Sequence, residues 1–136
     1  MATEEITYGL MRKMEGLEDM EEAERRVRAA LAEEGFGVLT RIDLQETLAK
    51  KVGAEIDEYV ILGACNPQLA LQGVTAERFL GLVLPCNVVL TRREGAGGVE
   101  VAALDPRAMF GIVGAQGMED LVADATARLE RALAAA

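Results

Sequence analysis

Val88-Val89-Leu90-Thr91-Arg92-Arg93-Glu94-Gly95-Ala96-Gly97-Gly98-Val99-Glu100-Val101-Ala102-Ala103-Leu104 is the stretch that decides the fold class. Two β-prone runs, residues 88–91 and 99–104, flank a glycine-rich tip at residues 94–98, which is the pattern of a β-hairpin. A hairpin pairs its strands antiparallel, so the sheet it belongs to is not the purely parallel kind that βαβ crossovers build. The glycines of the tip join strand to strand rather than strand to helix, so they do not form a phosphate-binding loop. Arg92 and Arg93 beside the tip read as a charged, solvated sheet edge.

Upstream of the hairpin, residues 59–64 are almost wholly apolar and read as a central strand. Residues 36–42 and 6–11 alternate and read as two more strands. Two helices separate these runs, and each opens with a D-x-x-E capping box: Asp19 with Glu22, and Asp43 with Glu46. The first has an apolar stripe at Met20, Ala23, Val27, Ala30 and Leu31, with Glu21–Arg25, Glu22–Arg26 and Glu24–Arg28 as i,i+4 pairs on its other side. Gly35 is placed to end it in the left-handed conformation. The second, shorter helix has Leu44, Leu48 and Val52 on one face and runs to Gly53. Residues 68–82 support two short helical turns, and Asp105-Pro106 opens a short turn with Met109 and Phe110. Gly111, Gly114 and Gly117 mark a loop, and from Met118 onward a stripe of Leu121, Val122, Ala125, Leu129, Ala132 and Leu133 predicts a long helix. Met11, Met14, Met20, Met109 and Met118 read as core or gap-filling residues. The expectation is a single α+β domain over residues 1–136, an antiparallel sheet with two long helices packed on one face.

Composition narrows the chemistry. The 136 residues are 51% hydrophobic and 27% charged, the profile of a globular chain. A net charge of −9 repels a phosphate backbone, so neither nucleic acid nor an anionic membrane is an expected partner. No apolar run is long enough to span a bilayer. The acidic start, Met1-Ala2-Thr3-Glu4-Glu5, is unlike a secretory leader, so a cytoplasmic location is expected, with thiols rather than disulfides. Histidine is absent. That removes Ser-His-Asp and Cys-His nucleophile systems and histidine-containing zinc or haem sites. Arg outnumbers Lys eleven to three and amides are scarce, a composition that fits a thermophile.

One pattern singles out a site. Both cysteines are followed by asparagine, and the chain has no other asparagine. Cys65-Asn66-Pro67 and Pro85-Cys86-Asn87 are near mirror images, each placing a thiol, a carboxamide and a stiff backbone at a strand boundary. Four readings are open. The motifs support the fold as buried Cys and turn-forming Asn and Pro. They line one cleft for a small ligand. They carry thiol redox chemistry or a soft metal, although 21 positions separate the thiols and no basic residue adjoins them. Or one cysteine is a nucleophile, which without histidine needs a carboxylate or lysine base. The candidate ligand-binding residues are Cys65, Asn66, Pro67, Pro85, Cys86 and Asn87. No catalytic constellation, metal-ligand set or cofactor motif accompanies them.

Glu34-Gly35-Phe36-Gly37-Val38, Ile42-Asp43-Leu44, Gly63-Ala64-Cys65-Asn66-Pro67-Gln68-Leu69-Ala70, Gly81-Leu82-Val83-Leu84-Pro85-Cys86-Asn87-Val88-Val89 and Leu104-Asp105-Pro106 together resemble the domain-of-unknown-function 302 family, in order and spacing, across residues 17–110. The resemblance implies a fold like the TATA-binding-protein repeat (strand, helix, four strands, helix) and a homodimer. It implies no activity, and likeness to a DNA-binding fold does not carry that function to a chain of charge −9.

Overall fold

A computed structural model describes residues 6–114 and 116–136. Residues 1–5, on which the expectation about a secretory leader rested, lie outside the described residues. Five strands form one antiparallel sheet: β1 (Gly9–Glu15), β2 (Gly37–Asp43), β3 (Glu58–Cys65), β4 (Cys86–Arg92) and β5 (Gly98–Leu104). Their order across the sheet is β1-β5-β4-β3-β2. The hairpin β4–β5 pairs Val89 with Ala102 and Leu90 with Val101. Strand β3 is an interior strand, as its apolar run predicts, paired with β2 on one side and with β4, the middle strand of the five, on the other. Arg92 and Arg93 are therefore not on an outer strand; they pair with Glu58 and Glu100.

Helices α1 (Met20–Glu33) and α5 (Glu119–Ala135) cover one face of the sheet. Alternation puts Leu62 and Ala64 of β3, Val88 and Leu90 of β4, and Val99, Val101 and Ala103 of β5 on that face. They pack against Ala23, Val27, Ala30 and Leu31 from α1 and Leu129, Ala132 and Leu133 from α5. At about 25 cal/mol per Å² of apolar surface, this two-layer core supplies the main stabilisation.

The caps explain where the helices begin. Asp19 accepts from the backbone N–H groups of Glu21 and Glu22, and Asp43 from that of Glu46. The return half of the first box is replaced: Glu22 takes Arg25 and Arg26 instead, so Arg25 pairs at i,i+3 rather than with Glu21. Helix α2 (Leu44–Val52) has no fully buried residue: Leu44 and Leu48 of its predicted apolar face are half-buried, and Val52 is exposed. Strand β1 lies further along the chain than predicted. Arg12 and Lys13 look like strand breakers, but Arg12 donates to the Leu133 and Ala134 carbonyls at the end of α5, and Lys13 to the Ala96 carbonyl.

Two further helices were only partly legible. Helix α3 (Pro67–Ala76) is continuous through Gly73 and is followed by a 3₁₀ turn at Leu80–Val83. Helix α4 (Pro106–Val113) runs through Gly111, where a loop was expected, and ends at Gly114. Among the described residues no helix is long and apolar enough to cross a membrane.

Candidate functional site

Strand β3 ends at Cys65, and Asn66 turns the chain into α3. Its side-chain oxygen accepts from the Leu69 N–H at 3.2 Å, and Pro67 occupies the first helical position. This is the combination that starts a helix well: a carboxamide cap, then a residue with no N–H to satisfy and a preset φ. The Asn66 amide also donates to the Glu34 carbonyl at 3.3 Å, tying the end of α1 to the start of α3. The same carbonyl accepts from Arg128 of α5 at 3.1 Å. Gly35 adjoins this junction at φ +84°, and a Cβ there would sit 2.9 Å from the Asn66 amide nitrogen. Both its backbone angle and the crowding call for glycine.

Strand β4 starts at Cys86, after a cis Leu84–Pro85 bond. Ala64 pairs with Cys86 across the β3–β4 ladder, so Cys65 is one step from Cys86 on the neighbouring strand. Strand spacing of ~4.8 Å and a rise of ~3.4 Å put their Cα atoms roughly 6 Å apart. Both thiols are free and half-buried. They share the wall of a pocket of about 50 Å³ with Asn66. Phe36, Leu69, Leu80, Met109 and Phe110 supply much of the remaining wall, from β2's approach, α3, the 3₁₀ turn and α4.

The pocket has no ionisable lining residue other than the two cysteines. Burial, and after it the neighbouring Cys65, push the Cys86 thiol up to about 11 from an ordinary 9.0. At neutral pH Cys86 is a protonated, weakly polar group, the opposite of an activated nucleophile. The polar atoms of Asn66 are engaged by Leu69 and Glu34. A water in the pocket would find few partners. The arrangement suits a small uncharged apolar group, with two polarisable sulfurs to receive it.

The six candidate residues therefore separate. Cys65, Asn66 and Cys86 meet at the pocket. Pro67 is exposed at the start of α3. Pro85 and Asn87 do not line the pocket. Strand alternation sends Asn87 to the sheet face opposite Cys86, where it is exposed. Pro85 packs on that side too, close to Gly63: a Cβ on Gly63 would come within 2.7 Å of Pro85 and 2.2 Å of Thr40. Sequence reasoning missed the roof of the pocket, in particular α4. The signal was present in Asp105-Pro106, which repeats the cap-then-proline design of Asn66-Pro67. Asp105 accepts from the Arg107 N–H, and the Arg107 guanidinium beside it holds its carboxyl below the ordinary carboxylate value.

Residues 13–136 match the family described as Domain of unknown function DUF302. The chain belongs to that family. A crystal structure of an uncharacterized conserved DUF302 protein from Bacillus stearothermophilus is similar, with 27% identity, a TM-score of 0.84, and coverage of 95% of this chain and 98% of that one. No curated protein matches. As a DUF302 protein, this chain shares an α+β fold with that structure over nearly its whole length, and the family brings no assigned activity.

Proposed function

We propose that this DUF302 protein binds a small apolar ligand, or the apolar end of a larger one, between Cys65 and Cys86. One observation carries the reading: two strand ends and four helical elements, α3, the 3₁₀ turn, α4 and α5, converge on a pocket lined by apolar residues and two cysteines. Its volume of about 50 Å³ sets the scale. Complete pockets for drug-sized ligands are ~300–1,000 Å³, whereas apolar cavities of ~150 Å³ hold benzene or xenon. Only a few non-hydrogen atoms fit without movement of the roof. A reducing compartment such as the cytoplasm suits the site, because it keeps both sulfurs as thiols.

Titration with short-chain alcohols and thiols, followed by methyl NMR, tests the reading. The expected result is saturable shifts at Leu69, Leu80 and Met109, abolished in an Ala70→Leu variant that fills the pocket. Shifts spread over the surface and unchanged by Ala70→Leu would count against it.

A further inference from the structure

The face of the sheet opposite α1 and α5 carries a groove, and strand register explains it. Met11 pairs with Ala102, and Ala102 with Val89. Alternation puts the short side chains of Ala102 and Val89 on this face, where they make a low floor on β5 and β4. Tyr8 and Met11 border that floor on the β1 side, Tyr59 borders it from β3, and Asn87 stands two positions along β4 from Val89. The hollow is about 330 Å³, within the ~300–1,000 Å³ of small-molecule sites. Two tyrosines far apart in sequence thus share one space with the asparagine that the thiol pocket leaves out.

The polar groups of the groove divide into engaged and unengaged. Arg93 pairs with Glu100 at 3.5 Å, and the Thr91 hydroxyl donates to the Glu58 carbonyl. Farther along the same face Lys13 pairs with Glu15 at 3.8 Å, so the charges of Lys13, Glu15, Arg93 and Glu100 cancel. By contrast, no hydrogen bond among the described residues holds the side chain of Tyr8, Tyr59 or Asn87. An apolar floor with a few convergent, unengaged polar groups is the make-up of a ligand site.

We propose that this groove binds an uncharged aromatic molecule whose rim carries a hydrogen-bond donor beside an acceptor, as a carboxamide does. The Asn87 amide has a donor and an acceptor side by side and meets such a rim with two hydrogen bonds. Tyr8 and Tyr59 offer ring faces and edges to an aromatic guest, and the Met11 thioether adds a polarisable contact. Among the described lining residues Arg93 and Glu100 already neutralise each other, so a charged guest finds no counter-charge. A carboxylate is disfavoured further by the net charge of −9. The groove shares no lining residue with the thiol pocket, so this inference does not rest on the pocket reading.

Methyl NMR titration of the full chain with benzamide tests it, with benzoate as the charged counterpart and Asn87→Ala and Ala102→Leu as variants. The wild type should show saturable shifts at Met11, Val89 and Ala102 with benzamide and none with benzoate. Asn87→Ala should weaken benzamide binding about tenfold with Tm unchanged, the loss of a hydrogen-bonded pair. Ala102→Leu should abolish binding by filling the floor. Asn87 is exposed, so Asn87→Ala decides the question if Ala102→Leu fails to fold. Absence of saturation, shifts confined to Leu69, Leu80 and Met109, equal binding of benzoate, or equal affinity in a folded Asn87→Ala would overturn the proposal. A chain that sediments at twice its own mass, with Met11, Val89 and Ala102 covered by the second copy and unresponsive to benzamide, would overturn it too.

Discussion

The two Cys-Asn dipeptides are identical in sequence, and the structure predicts opposite outcomes when each asparagine becomes alanine. Asn66→Ala removes the acceptor for the Leu69 N–H and the donor to the Glu34 carbonyl. Loss of an N-cap costs about 1 kcal/mol, within a range of roughly 0.5–2. The second bond adds about 0.5–1 kcal/mol, at the low end because Arg128 still satisfies the Glu34 carbonyl. The total is about 1.5–3 kcal/mol. At ~4 °C per kcal/mol for a domain of this size, Tm should fall by roughly 6–12 °C. Asn87 is exposed and no hydrogen bond among the described residues holds its side chain, so Asn87→Ala should stay within about 0.5 kcal/mol of wild type. Asn66→Asp separates the two bonds: it keeps the cap acceptor at a helix N-terminus, which favours negative charge, and loses only the donor. Urea and thermal unfolding by circular dichroism measure all three. Equal stabilities for Asn66→Ala and Asn87→Ala would refute the assignment of Asn66 to the α1–α3 junction.

Other expectations follow from single contacts. Gly35→Ala should destabilise by about 1–2 kcal/mol, since the left-handed backbone strains an L residue and the new Cβ crowds Asn66. Gly63→Ala should cost about 1–3 kcal/mol through overpacking against Thr40 and Pro85, with Thr40→Ser or Thr40→Ala tested for partial relief. For Cys86, the folded thiol titrates near 11 and the unfolded one near 9.0. A thiol whose folded pKa is raised binds its proton more tightly when folded, so its contribution is intact below pH 9 and declines as pH rises toward 11. The loss amounts to roughly 2–3 kcal/mol across that window, measurable as an alkaline stability decline that Cys86→Val lacks. Alkylation of native Cys86 should likewise keep accelerating about tenfold per pH unit beyond pH 9 rather than level off there.

The parts of this fold that depend on near neighbours were readable from sequence. Asp19 and Asp43 announced their helices because a cap is a local hydrogen bond. The β4–β5 hairpin announced itself through its glycine-rich tip. What needed three dimensions was the parting of the two motifs. Asn66 follows a strand's last residue and becomes a cap. Asn87 is itself inside a strand, so it points away from Cys86. The local difference is the residue that follows: Pro67 after Asn66 suits a helix start, and Val88 after Asn87 continues a strand. Helix α4 was obscured because Gly111 and Gly114 resemble loop spacing, although Gly114 ends the helix and Gly111 lies on its exposed side. Met11 was grouped with the core methionines, but the alternation of β1 puts Met14 inside and Met11 on the uncovered face.

Diffraction from crystals under xenon pressure tests the central claim most directly, because xenon enters dry apolar cavities of this kind. The account predicts one well-occupied site in the pocket lined by Cys65, Asn66 and Cys86, lost in Ala70→Leu. Ordered water hydrogen-bonded into that space, with xenon absent, would contradict it.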